Sequence, residues 1–350
     1  VIPLLRLHAQ RIQGARPATA AALVDWLGAV QAQDYAGTKW AIGLRLGKNT
    51  TDAGVEKALD DGKILRTHAL RWTWQLVTPR DIRWLVELGR ARMLARAKSR
   101  LDELGIDART MRRSETVFER ALRGENHLTR DELGSCLKAA RIQANGTRLA
   151  HLLACAEMNA VVCSGRRRGK QHTYALLDER APSAKSLSRA RAIAELARRY
   201  FSSRGPATVA DFVWWSGLSP ADARAGLRAI RSQLDSADER LFHGKGRVPK
   251  PVATSVLLPA FDEYLVAYKN RDAVLDPKHT RRLNAGGGML APCVVVDGMV
   301  VGTWRRELSR GTVAVELDLL ERPSVRTTRA LRLAVARYAA FLELEPQLSL

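Results

Sequence analysis

The chain is poor in the features that most often announce a function. Its 350 residues include four cysteines, Cys136, Cys155, Cys163 and Cys293, and no two of them stand in a C-x-x-C or other paired spacing. That spacing excludes a disulfide framework and leaves buried, reduced thiols as the expectation for three of them. No stretch approaches the roughly 18 continuous apolar residues of a membrane span, and the first residues carry no signal-peptide core. A cytoplasmic protein with no membrane partner is therefore expected. Seven histidines are scattered without metal-ligand spacing. The motifs G-x-x-x-x-G-K-[ST], H-E-x-x-H and G-x-S-x-G are all absent, which removes the usual signatures of nucleotide hydrolysis, zinc proteolysis and serine hydrolysis. Acidic residues are also scarce, 36 against 57 lysines and arginines, for a net charge of +21.

What is present is an ordinary globular composition, 46% hydrophobic and 27% charged, in a chain long enough for several domains. The positive charge is densest early: residues 1–100 carry a net +9, residues 101–200 +7 and residues 201–350 +5. Such a field draws polyanions. An arginine- and alanine-rich composition arising from GC-rich coding would look the same, so charge alone leaves both origins open.

A repeated plan of helices followed by a hairpin organises the chain. In residues 106–182, helices are expected over 114–122, 130–139 and 149–158, the second opened by Thr129 with Glu132 completing a capping box. Strands over 160–163 and 171–177 then flank the basic turn 164–170. Three helices, a strand, a basic tip and a strand make the anatomy of a winged helix. Residues 183–252 repeat it with helices over 186–201, 209–215 and 221–233, Thr208 and Asp211 forming a cap and Pro220 standing at a helix start. Its hairpin is expected to pair 240–242 with 247–248. Residues 1–105 are looser: helices over 18–27, 40–46 and 52–59, a hairpin of 64–68 with 72–77, and a long helix toward residue 101. Residues 253–350 read as short strands, with a tight Asp297-Gly298 turn and a terminal helix over 327–341. The expected fold class is α+β: three tandem winged helices followed by a small C-terminal β-barrel with a terminal helix.

Candidate functional residues follow from this frame. Arg166, Arg167, Arg168 and Lys170 occupy the wing tip, where winged helices touch the DNA backbone or minor groove. Thr147, Arg148 and His151 begin the helix before it. Arg224, Arg228 and Arg231 fall at i, i+4 and i+7, one basic stripe suited to phosphate contacts. Arg281 and Arg282 precede Gly286-Gly287-Gly288, which reads as a loop in preference to a phosphate cradle. In the first hairpin, alternation places Trp72 and Trp74 on a core face and Arg66 with His68 on a face that could open into a cleft, His68 being read as a packing or hydrogen-bonding residue. Gln31 and Gln33 flank Ala32 just after an apolar helix. Uncharged amides are poor metal ligands and poor proton carriers, but they hold water or a base edge well; capping of the preceding helix is the structural alternative.

The segments 29–34, Arg66-Thr67-His68 with Arg71, 78–85, the 163–177 wing, 211–218, 258–264 and 300–306 together resemble the winged-helix DNA glycosylases of the AlkZ and YcaQ type. The resemblance spans nearly the whole chain. It implies a C-shaped basic channel and a catalytic Gln-apolar-Gln signature, matched by Gln31-Ala32-Gln33. It also implies removal of N7-alkylated guanine, unhooking of interstrand crosslinks and protection against DNA-alkylating toxins. On that basis Gln31 and Gln33 are the catalytic candidates, with Asp34 a further candidate for activating water. Arg66, His68, Arg71, Arg148, Arg166, Arg167, Arg168, Lys170, Arg224, Arg228, Arg281 and Arg282 are the DNA-binding candidates. The partner would be double-stranded DNA carrying alkylated guanine, bound by a monomer using no cofactor and no metal, and no lysine is poised for lyase chemistry. The rival reading is a non-catalytic winged-helix regulator; a third is an RNA-associated scaffold.

Overall fold

Side-chain caps divide the first hundred residues into helices. After α1 (Ile2–Ala9), Thr19 caps α2 (Ala20–Leu27), and Gly28, at positive φ, turns the chain into the short strand β1 (Val30–Gln31). Asp34 caps α3 (Tyr35–Gly43) and Thr51 caps α4 (Asp52–Asp60). The hairpin of β2 (Leu65–His68) and β3 (Trp74–Val77) then takes β1 against β3, giving the order β1-β3-β2. The helix α5 (Ile82–Glu103) follows. The structure is a computed structural model and describes residues 1–246, 250, 252–284 and 290–349.

The next unit comprises α6 (Ala108–Leu122), β4 (Leu128–Thr129), α7 (Arg130–Ala139), α8 (Gly146–Met158), β5 (Val162–Ser164), β6 (Thr173–Leu176) and α9 (Leu177–Arg180), its sheet ordered β4-β6-β5. The Thr129–Glu132 capping box is present. A third unit has α10 (Arg189–Arg204), α11 (Val209–Ser216), opened by the Thr208–Asp211 box, and α12 (Pro220–Ile230), capped by Ser219. Its hairpin differs from expectation. β7 (Leu234–Ser236) pairs with β8 (Phe242–Gly244), so the segment expected as the first strand is the second, while Arg247 and Val248 lie outside the described residues. The glycine run 286–288 also lies outside them.

The C-terminal region contains β9 (Ser255–Leu258), α13 (Glu263–Val266), α14 (Thr280–Leu283), β10 (Cys293–Val296), β11 (Met299–Ser309), β12 (Thr312–Leu319), α15 (Val325–Leu342) and β13 (Glu345–Ser349). Asp297 and Gly298 both take positive φ, as a two-residue hairpin turn requires. The expected closed barrel is corrected to an open half-barrel, ordered β13-β12-β11-β10-β9, because β13 and β9 end the sheet on opposite edges. β13 also runs parallel to β12, since the chain returns to that edge through α15.

Three side-chain cores hold these elements. Leu23, Val30, Trp40 and Leu76 of the first unit pack with Leu257, Val294, Trp304 and Phe341, so its core continues into the half-barrel. The beginning of α5 (Ile82, Trp84, Leu85) joins Tyr200, Phe212 and Trp215 of the third unit. Its later residues Met93 and Leu101 join Phe118, Leu133 and Leu152 of the second. One helix is therefore rooted in two cores. Cys155, Cys163 and Cys293 are buried and unbridged, and burial pushes the Cys155 and Cys163 thiols up to about 12, as expected of inert reduced cysteines.

Candidate active site

Buried charge sets the position of the strand that ends at Gln31, the first of the amide pair. Gln31 faces Gln75 across the β1–β3 ladder, and Gln75 faces Thr67 of β2. The Gln31 backbone N–H donates to Oε1 of Glu263 at 2.8 Å. Oε2 of the same buried carboxylate accepts from Nε and Nη2 of Arg204 at 2.9 and 2.7 Å, and from Nε1 of Trp215 at 3.0 Å. Arg204 spends its other donors on the carbonyls of Leu27 and Ala29 at 2.6 and 2.7 Å and on the Ser203 hydroxyl at 2.9 Å. Beside this knot, Arg45 makes a bidentate pair with Asp262 at 2.8 and 2.7 Å. Buried ions cost several kcal/mol each to desolvate, so a knot of this kind holds only because its donors and acceptors are matched.

The Gln31 residue is 8% exposed, and its Oε1 accepts from Nη2 of Arg71 at 2.8 Å. Two residues on, Gln33 is exposed. Ala32 between them is buried, and its carbonyl accepts from Nε of Arg66 at 3.1 Å. Burial holds the Arg66 and Arg71 guanidinium groups below their ordinary value. Asp34 commits its carboxylate to the start of α3, accepting from the Gly37 N–H at 3.1 Å.

Gln33 stands at a cleft of about 500 Å³ between the first and second units. Arg66, His68, Trp72 and Trp74 line it from one side, His151 and Glu157 from the other. Trp72 and Trp74, expected on a core face, are half-buried: each packs on a hydrophobic core and each also lines the cleft. His68 ends β2 and Trp74 begins β3, and the antiparallel register sets them opposite each other, so both reach the same space. The Arg66 guanidinium lies 4.1 Å from the Trp74 ring centroid, and the His68 ring 4.8 Å from it. His68 Nδ1 also meets the buried Glu157 carboxylate, tying the two units across the cleft. Among the described residues no cluster of three His, Cys, Asp or Glu side chains gathers as metal ligands. The site can hold a polar solvent molecule on its amides and a flat, electron-poor ring against its aromatic faces.

The pattern of the AlkZ-like DNA glycosylase family matches residues 24–341 of the chain. The chain belongs to that family. An interstrand DNA cross-link repair glycosylase of Streptomyces sahachiroi is 26% identical over 354 residues, which cover 96% of this chain and 93% of that protein. The solved structure of the DNA glycosylase AlkZ from the same organism aligns with a TM-score of 0.79 at 22% identity, covering 99% of this chain and 98% of that one, and shares the fold. The resemblance seen in the sequence is thus shown, as is the α+β class, and membership of an AlkZ-like glycosylase family makes DNA the substrate. No helix among the described residues is long and apolar enough to cross a membrane.

The AlkZ-like fold brings the expected basic residues to different ends. Arg66, His68 and Arg71 gather at the first hairpin, two of them in the cleft and Arg71 against Gln31. Most of the wing-tip cations are already engaged within the chain. Arg167 donates to Glu56 at 3.2 Å and to the Lys170 carbonyl at 2.7 Å, Arg168 to Glu132 at 2.6 Å, and Arg166 to the Asp60 carbonyl at 3.2 Å. The tip thus docks on the first unit because Glu56 and Asp60 face it; the Lys170 amine is exposed. Arg148 donates to the carbonyls of Leu104 and Gln143, fastening the start of α8. Arg224 and Arg228 are exposed on α12, whereas Arg231 turns to the Leu234 carbonyl at 3.1 Å. Arg281 is exposed and Arg282 pairs with Asp318 at 2.7 Å. Glu157 and Glu263 were missed as site residues. Each has a signal in the sequence: Glu157 is the one charge in Leu152–Met158, and Glu263 stands beside Asp262 between the apolar residues Phe261 and Tyr264–Val266.

Proposed function

We propose that this AlkZ-like glycosylase hydrolyses the N-glycosidic bond of N7-alkylated guanine in double-stranded DNA, without a lyase step, and that it unhooks interstrand crosslinks. The carrying observation is the amide pair: Gln31 pinned from behind by buried charge and Arg71, with Gln33 exposed at an aromatic cleft. Alkylation at N7 leaves guanine positively charged. The C1′–N9 bond then breaks with its electron pair returning to the ring, which departs neutral and needs no acid. A water oxygen bonds to C1′ and releases a proton to solvent. The protein's task is to place that water and to tolerate an oxocarbenium-like state, which fixed amide dipoles suit.

Residues 1–105, 106–182 and 183–252 read as tandem winged helices arranged as a C around the duplex, with residues 253–350 as the half-barrel completing it. A monomer suffices for that arrangement. The name of the Streptomyces sahachiroi relative supports crosslinks as substrate, and the exposure of Gln33 suits a guanine still tethered to the opposite strand. Protection of cells from a DNA-alkylating toxin follows from the same chemistry. The test is incubation with a duplex carrying N7-methylguanine and analysis of released bases. Wild-type protein releases N7-methylguanine, and a Gln31→Ala, Gln33→Ala double variant binds the duplex equally while release falls by about two to three orders of magnitude. Sequence-specific duplex binding with no base release by the wild type would instead establish a regulator.

A further inference from the structure

We infer that Arg71 is a positioning residue that turns the Gln31 amide so that its NH2 group faces the substrate, making Gln31 the donor and Gln33 the acceptor for one attacking water. The inference rests on the reading of the two glutamines as the water-holding pair. Arginine carries donors only, so the 2.8 Å contact from its Nη2 requires the amide oxygen of Gln31 to point at Arg71. Among the described residues nothing accepts from Nε2 of Gln31, and that atom is not among the buried unpaired ones. It reaches the surface through the small exposed part of the side chain.

The arginine is held for this task at a cost to stability. Its one side-chain partner among the described residues is the neutral Gln31, with no carboxylate paired to it, and its Nε is buried with no partner. Stability alone favours neither arrangement for a guanidinium. Its seat is shaped by Gly217, the residue that ends α11 in the left-handed conformation at φ 69°. A Cβ on Gly217 would lie 3.0 Å from the Leu70 carbonyl oxygen and 3.3 Å from Cγ of Arg71. The third unit therefore presses directly on the hairpin loop that aims Arg71. The row beneath Gln31 is polar as well: Gln75 Oε1 and Thr67 Oγ1 are buried without partners among the described residues.

The orientation matters because a water is fixed by one donor to its oxygen and one acceptor for a hydrogen, which leaves a lone pair for C1′. Two amides turned the same way would both donate or both accept. The positive charge behind Gln31 also polarises its amide, strengthening the outward N–H groups.

Single-turnover base release at saturating protein, together with the Kd for the N7-methylguanine duplex, separates this role from a phosphate contact. Gln31→Glu keeps the Arg71 contact and replaces the outward NH2 by an oxygen; the release rate falls about 100-fold. Arg71→Gln lowers the rate by a similar factor, with Kd within about threefold of wild type, and Arg71→Lys restores part of the rate. Thermal melts accompany each variant, and if Arg71→Gln fails to fold, Gln31→Glu decides. Gln31→Glu releasing base at the wild-type rate overturns the proposal, as does Arg71→Gln weakening Kd with an unchanged rate at saturation. Wild-type protein that releases no base overturns the functional reading itself.

Discussion

Replacing Glu263 by glutamine removes one negative charge from a site where Arg204 is 0% and Glu263 1% exposed. The substitution keeps the shape but leaves the guanidinium buried without a counter-charge, and it turns an NH2 toward donors from Arg204 and Trp215 or toward the Gln31 N–H. Breaking a buried pair from one side costs about 3–5 kcal/mol. Unfolding entropy of about 2.1 cal/mol/K per residue gives roughly 0.7 kcal/mol/K for this chain melting as one unit, so Tm falls by about 4–7 °C. The exposed pair Arg305–Glu316, at 77% and 46% side-chain exposure, is the internal control. Arg305→Ala costs at most about 1 kcal/mol and shifts Tm by roughly 1 °C. Differential scanning calorimetry measures both. Base release by Glu263→Gln at a temperature where it is fully folded also declines, because the backbone N–H of Gln31 loses its charged acceptor. A Glu263→Gln protein melting within 1 °C of wild type would refute the view that this carboxylate holds the β1 strand.

Arg224→Ala with Arg228→Ala removes two exposed cations from α12, and the slope of log K against log salt for duplex binding becomes shallower by about 1.8. Arg148→Ala, whose donors are spent on carbonyls, leaves that slope unchanged. Gly89→Ala would set a Cβ 2.4 Å from the Ala69 carbonyl oxygen, so despite alanine's better helix propensity it destabilises by about 1–3 kcal/mol, read as a lowered urea midpoint. Partial burial, and then the charges of Arg66 and Arg167, push His172 down to about 4 from 6.5, and an NMR titration will show it. The unfolded chain takes up that proton between about 6.5 and 4 while the folded one resists, so the contribution of His172 to stability is whole above 6.5 and is lost on acidification toward 4.

Local chemistry was legible and lateral pairing was not. Thr129 with Glu132, Thr208 with Asp211, and Ser219 before Pro220 place helix starts because a cap acts within one turn. Asp34 does the same for α3, which begins at Tyr35, ahead of the expected residue 40; its carboxylate had been read as a candidate for chemistry. Asp107 likewise starts α6 at Ala108, where Ser114 had been expected to. The short strands β1 and β4 escaped notice because two residues have no periodicity to read; only their partners define them. The same limit hid the second face of Trp74, which register sets opposite His68, while Trp72, expected in the strand, lies in the connection before it. Basic residues were visible, but their engagement was not. Glu56, Asp60 and Glu132 lie from 36 to 111 positions away from the arginines they receive.

The helix α5 connects two cores, and along the chain it leads from the first unit into the second, the two units that flank the cleft. A helix is a screw, so distance along it and angle around it cannot be changed separately. One residue added between Leu88 and Met93 would advance the second unit by about 1.5 Å and rotate it by about 100°. That rotation carries Glu157 off His68 and alters the gap in which a substrate must lie. Two whole turns, about seven residues, nearly restore the angle but displace the second unit by about 10 Å along the helix axis. The gauge of the opening is therefore stored as a whole number of residues, and variants of this scaffold can retune it only in discrete steps.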